Sequence, residues 1–97
     1  MAAGPTELLR PAEAKRLLRL ILATGEVVFT GHALSEMEQD GISQADVIGV
    51  LRGGTVEPAE FERGSWRYRI RAGKVYVVAS FRSGTVAAVV TAWRLRR

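Results

Sequence analysis

The chain has 97 residues, 47% of them hydrophobic and 25% charged, with a net charge of +4 and no cysteine. That length suits one domain around one modest core, and the lack of cysteine excludes disulfides and thiolate metal sites and fits a reducing cytoplasm. Charge is unevenly placed: residues 1–62 hold five Lys/Arg against ten Asp/Glu, whereas residues 63–97 hold nine basic residues and no acid.

Residues 1–10, with Gly4 and Pro5, are expected to fray. Pro11 suits a first helical position, where its missing N–H is no loss. A helix is expected from Pro11 to about Ala23, with Leu17, Leu18, Ile21 and Leu22 on one wide apolar face, and Gly25 ends it. The apolar stretch Leu17–Ala23 is too short to span a bilayer and carries Arg19, so it reads as a core-facing helix and not as a membrane or signal segment. Glu26–Thr30 reads as a short strand, and a short helix follows from Gly31 to about Gln39. Ser43 is a candidate N-cap, with Asp46 three residues on completing a capping-box pattern. That helix turns Val47, Val50 and Leu51 inward and stops at Gly53–Gly54.

After Gly54 the hydrophobic period becomes two. Residues 55–63 (TVEPAEFER) are expected to form a strand at a sheet edge or with a bulge, because Pro58 cannot donate to a ladder. Ser65–Arg71, Lys74–Arg82 and Thr85–Leu95 are strands joined by short turns at Ala72–Gly73 and Ser83–Gly84, which makes them antiparallel neighbours. The expected architecture is α+β, in the order α-β-α-α-β-β-β-β, with helices packed on one face of a mostly antiparallel sheet in a single domain over residues 1–97.

Alternation sorts the basic residues. Trp66, Tyr68 and Ile70 share one face of their strand; Arg67, Arg69 and Arg71 share the other. Such a row stays solvated, either as a polar outer face or as a phosphate-binding track, and the local absence of acids favours the track. On the last strand, strict alternation sets Thr85, Ala87, Val89, Thr91, Trp93 and Leu95 against Val86, Ala88, Val90, Ala92 and Arg94. His32, the single histidine, shares a helix side with Ser35, Glu36 and Gln39, away from Ala33, Leu34 and Met37. It is either a surface or capping residue bonded to Thr30 or Glu36, or a group placed to carry a proton. One histidine without cysteine is too few ligands for zinc, and no G-x-x-x-x-G-K-[ST] loop is present, so neither metal nor cofactor is expected.

The segment GHALSEMEQDGISQADVIGVLRGG, followed by WRYRI, KVYVVASF and AAVVTAWR, resembles the bacterial family called domain-of-unknown-function 4258 from Val27 to Arg94. That family in turn resembles the RelE, MqsR and BrnT toxin folds. The resemblance implies a toxin that cleaves mRNA, on or off the ribosome, and is neutralised by an antitoxin, zinc-finger partners of the MqsA type being one kind. Carried onto this chain, it makes His32 a base or acid. Arg69 holds the phosphate with Arg67 or Arg82 in support, and Tyr76 or Tyr68 supplies a second proton. Arg71, Lys74, Thr91 and Arg94 complete the RNA-binding set. Glu36 and Asp40 stand where the family often has basic residues, which moves the basic work to the strands. The alternative is a non-catalytic basic module that binds RNA or an acidic protein.

Overall fold

The computed structural model describes residues 7–96. Its elements are α1 (Pro11–Thr24), β1 (Glu26–Phe29), α2 (Gly31–Asp40), α3 (Gln44–Gly53), β2 (Thr55–Val56), β3 (Glu60–Glu62), β4 (Ser65–Ala72), β5 (Val75–Phe81) and β6 (Val86–Arg94). This is the expected α+β order, with one difference: the strand anticipated over residues 55–63 is split. β2 and β3 both pair antiparallel with β4, and Pro58 lies in the gap between them, where the ladder loses a donor.

The sheet runs β1-β6-β5-β4-β2, with β3 on β4. β4, β5 and β6 are antiparallel neighbours, as their short turns require, whereas β1 joins β6 in parallel. The helices bury one face. Leu18 and Ile21 of α1, Met37 of α2 and Leu51 of α3 meet Tyr68, Ile70, Val77 and Val89 of the sheet in one core. Each such aliphatic chain removed from water contributes about 1.5–3 kcal/mol. Lys15 Nζ donates to the Gly54 carbonyl, tying α1 to the end of α3. The capping box at Ser43 forms as expected: Ser43 Oγ accepts from Asp46 N at 3.0 Å and Asp46 Oδ2 from Ser43 N at 2.9 Å.

Two local expectations need correction. Leu9 and Arg10, within the segment expected to fray, are tethered: Leu9 N donates to the Tyr68 hydroxyl at 2.8 Å, and Arg10 N to Glu13 Oε1 at 2.9 Å. The remainder of that expectation, over residues 1–6, lies outside the described residues, as does Arg97. Second, β6 does not alternate throughout. Val78 pairs with Thr91 but Ala79 with Val89, so Val90 is an extra residue in a β-bulge. Ala87 and Val89 therefore face the core, while Thr91 and Trp93 face the opposite, helix-free side of the sheet.

Candidate functional site

The bulge brings two distant parts of the chain together. β1 is only four residues long, so on that edge β6 has no strand neighbour beyond Val89, while β5 continues along its other edge. The start of α2 takes that place. Thr30 N donates to the Val89 carbonyl at 3.1 Å, and Thr30 Oγ1 donates to the bulged Val90 carbonyl at 3.1 Å while accepting from Ala33 N at 3.0 Å. Thr30 thus caps α2 and pins it to the bulge at once. The next residue but one, His32, is exposed at the rim of the helix-free face.

Across that face the β3–β4 hairpin overhangs the sheet. Its turn has positive φ at both central residues, 50° at Arg63 and 82° at Gly64, which suits a two-residue hairpin but costs a non-glycine residue about 1–2 kcal/mol. Beneath it lies a groove with two main parts. A concavity of about 550 Å³ is lined by Thr30, His32, Glu62, Arg63, Arg67, Val90 and Thr91. A second, of about 240 Å³, is lined by Glu57, Pro58, Glu60, Glu62, Arg67, Arg69, Val78, Thr91 and Trp93. Glu62, Arg67 and Thr91 line both. Arg67 also reaches a third hollow with Thr30, Ser65, Ser80 and Arg82.

His32, Arg67, Arg69, Arg82 and Thr91, separated in sequence by up to 59 positions, are therefore brought to one connected groove. Tyr76 and Arg71 lie beside it. Tyr76 stacks on Trp93, with centroids 5.2 Å apart and planes at 4°, and so supports the wall without lining either main part. Tyr68 is on the other side of the sheet. It is buried on the helix face with its hydroxyl accepting from Leu9 N, and burial pushes its phenol up despite that bond. Lys74 sits at the β4–β5 turn, where its carbonyl accepts from Leu95 N.

Arg94 faces the helices. Its backbone N donates to Asp40 Oδ2 at 2.8 Å and its guanidinium reaches the Asp40 and Gly41 carbonyls at the end of α2. Asp40 also pairs with Arg96 at 2.6 Å. The Arg94 backbone bond, with the Arg96 charge behind it, holds the Asp40 carboxyl below the usual carboxylate range. The acid at this family position fastens β6 to α2. Lys74, Arg94 and Tyr68 thus stand outside the groove that the sequence reading assigned them.

The arginine row is also less bare than composition suggests. Glu57 pairs with Arg69 at 3.7 Å and with Arg71 at 3.8 Å, and Glu62 approaches Arg67 at 3.9 Å. These acids precede residue 63 in sequence and cross to the arginines through the β2–β4 and β3–β4 pairings. Sequence reasoning missed Glu62, Arg63 and Trp93 as groove residues. The hairpin geometry at Arg63–Gly64 was the signal for the first two; the bulge hid the third. Arg67 is 80% buried by its side-chain exposure of 20%, and its Nε is buried with no hydrogen-bond partner. Among the described residues, the side chains of His32, Arg63 and Arg82 make no hydrogen bond or ion pair, and no group of three or more His, Cys, Asp or Glu is arranged to hold a metal.

A family model described as "Domain of unknown function (DUF4258)" matches residues 29–94, from the end of β1 to the end of β6. The chain belongs to the DUF4258 family. The matched span contains the whole groove and leaves out α1. No curated protein and no solved structure matches the chain. Among the described residues, no helix is long and apolar enough to cross a membrane.

Proposed function

We propose that this DUF4258 protein is the toxin of a bacterial toxin–antitoxin pair, a metal-independent endoribonuclease acting on mRNA in the cytoplasm. The observation that carries this reading is the connected groove, in which His32 and the unpaired Arg63 line the same space as Arg67 and Thr91. The reaction it suits is transesterification within RNA. The 2′-oxygen attacks the adjacent phosphorus, the bond from phosphorus to the 5′-oxygen breaks, and a 2′,3′-cyclic phosphate and a 5′-hydroxyl result. A base must take the 2′ proton, an acid must protonate the leaving 5′-oxygen, and a cation must offset the charge that builds on the phosphorane.

Glu62 and His32 line one concavity and form the proton-transfer pair, Glu62 as base and His32 as acid. Arg67 and Arg63 hold the phosphate, Arg67 with an inner nitrogen already out of water and unpartnered. Thr91 positions the ribose side. Tyr76, stacked on Trp93, supports the groove wall in this reading. The same cations suit the acidic segment of an antitoxin, which would neutralise the toxin by filling the groove.

Expression of the chain is expected to arrest bacterial growth, with relief by an antitoxin encoded beside it. His32→Ala and Arg67→Ala should each restore growth at unchanged protein level. If both single variants, folded and expressed, still arrest growth fully, the site assignment fails. The non-catalytic alternative is favoured by the ion pairs that already occupy Arg69 and Arg71. It predicts salt-sensitive RNA binding with the RNA left intact.

A further inference from the structure

The groove is not uniformly basic, and its two ends differ in kind. At the His32 end stand Arg63 and, in the adjoining hollow, Arg82, both without an acidic partner among the described residues. At the other end stand Glu57 and Glu60, with Pro58, Arg69 and the Trp93 ring, while Glu62 and Arg67 line both ends. Glu57 and Glu62 are paired with arginines. Glu60, exposed and directly across the ladder from Arg67, has no such partner among the described residues. A free carboxylate at that position repels phosphate, so a track for phosphate alone does not account for it. It does suit a ligand that presents hydrogen-bond donors there and negative charge at the far end.

We infer that the 240 Å³ end is a nucleobase subsite that selects guanine, with Glu60 reading the base and the phosphate lying toward His32. This rests on the reading of the groove as an RNA site and adds which base stands beside the reacting phosphate. Three features support it. The space is large enough for one purine and too small for a folded element. Its walls offer flat surfaces for a base: Trp93, backed by Tyr76, with the Arg69 guanidinium 5.9 Å from the indole centroid. Guanine alone among the four bases presents two adjacent donors, N1–H and the 2-amino group, matching the two oxygens of one carboxylate. Adenine and cytosine offer one amino group, and uracil one N–H between two acceptors that a carboxylate repels.

The test is nucleotide binding by the full chain, read from Trp93 fluorescence in a Trp66→Phe background. If that variant fails to fold, the Trp93 indole N–H cross-peak of the unaltered chain gives the same readout by NMR. Guanosine 3′-monophosphate should bind saturably and about 10-fold more tightly than inosine 3′-monophosphate, which lacks only the 2-amino group. Glu60→Gln should weaken both nucleotides, guanosine more than inosine, and bring the two within about threefold of each other. Equal binding of the two nucleotides, or no response to either, overturns the subsite; so does a groove that answers only to a protein partner. Guanine-selective binding without RNA cleavage keeps the subsite and removes the nuclease. Cleavage after every base alike, with no nucleotide preference, keeps the nuclease and removes the subsite.

Discussion

Arg67→Met separates the groove's chemistry from the fold. Arg67 is the side chain common to all three hollows, and methionine keeps most of its apolar stem while deleting the guanidinium. Two effects on stability oppose each other. The pair with Glu62 is long, 3.9 Å, and Glu62 is 63% exposed, so it contributes only about 0–1 kcal/mol. The buried Nε has no partner, and leaving such a group desolvated costs about 1–3 kcal/mol. The variant should therefore unfold within about 1 kcal/mol of the parent or be slightly more stable. RNA affinity should respond far more strongly. Losing one charge-assisted contact costs about 1.5–3 kcal/mol, or about 10- to 150-fold in binding. The slope of log K against log salt should become shallower by about 0.7 for a single strand. Urea unfolding and RNA titration at several salt concentrations give both quantities from one preparation. A folded Arg67→Met protein that binds RNA within twofold of the parent, with the same salt slope, would refute the assignment of Arg67 as the phosphate contact.

Arg63→Asn should move stability and function in opposite directions. Asparagine tolerates the φ of 50° found there, so thermal unfolding should show a gain of about 0.5–1 kcal/mol while RNA binding weakens. Gly54→Ala should destabilise by about 1–3 kcal/mol, because a Cβ there would meet the Val50 and Arg71 carbonyls at 2.6 and 2.8 Å; Gly53→Ala, with nothing within 4 Å, is the control for helix composition. Asp40→Asn should lower the melting temperature at neutral pH. The Asp40 carboxyl is held below its ordinary value, so the stability it contributes is present above about pH 4 and lost as pH falls through the folded-state value. The difference between parent and variant should therefore narrow in acid, and a difference that stays constant with pH would contradict the Asp40 linkage.

Much of the fold was legible because local rules and tertiary packing agree. Pro11, Gly25, the Ser43–Asp46 capping box and the alternation of β4 each specify an element without help from distant contacts. Pro58 correctly marked the defect in the strand before β4, though not that it divides that strand in two. The site was legible in part. His32 and the odd-numbered arginines of β4 could be put on exposed faces from periodicity alone, but whether those faces meet depends on the bulge at Val90, which no residue type announces. The same bulge explains the misreading of β6, since one extra residue reverses every face beyond it. The position of Arg94 depended on Asp40, 54 residues away, and the acids opposite the arginine row were invisible as partners until β2 and β3 were placed on β4. Spacing within a strand fixes a face; it does not fix what lies across from it.

The central claim, that His32 and the arginines act together on RNA in one groove, is tested most directly by incubating the purified chain with single-stranded RNA in EDTA and mapping the ends. The account predicts cleavage that leaves 2′,3′-cyclic phosphate and 5′-hydroxyl termini and that His32→Ala reduces by about 100-fold or more. RNA that stays intact under conditions where it binds, or cleavage that His32→Ala leaves unchanged, would contradict it.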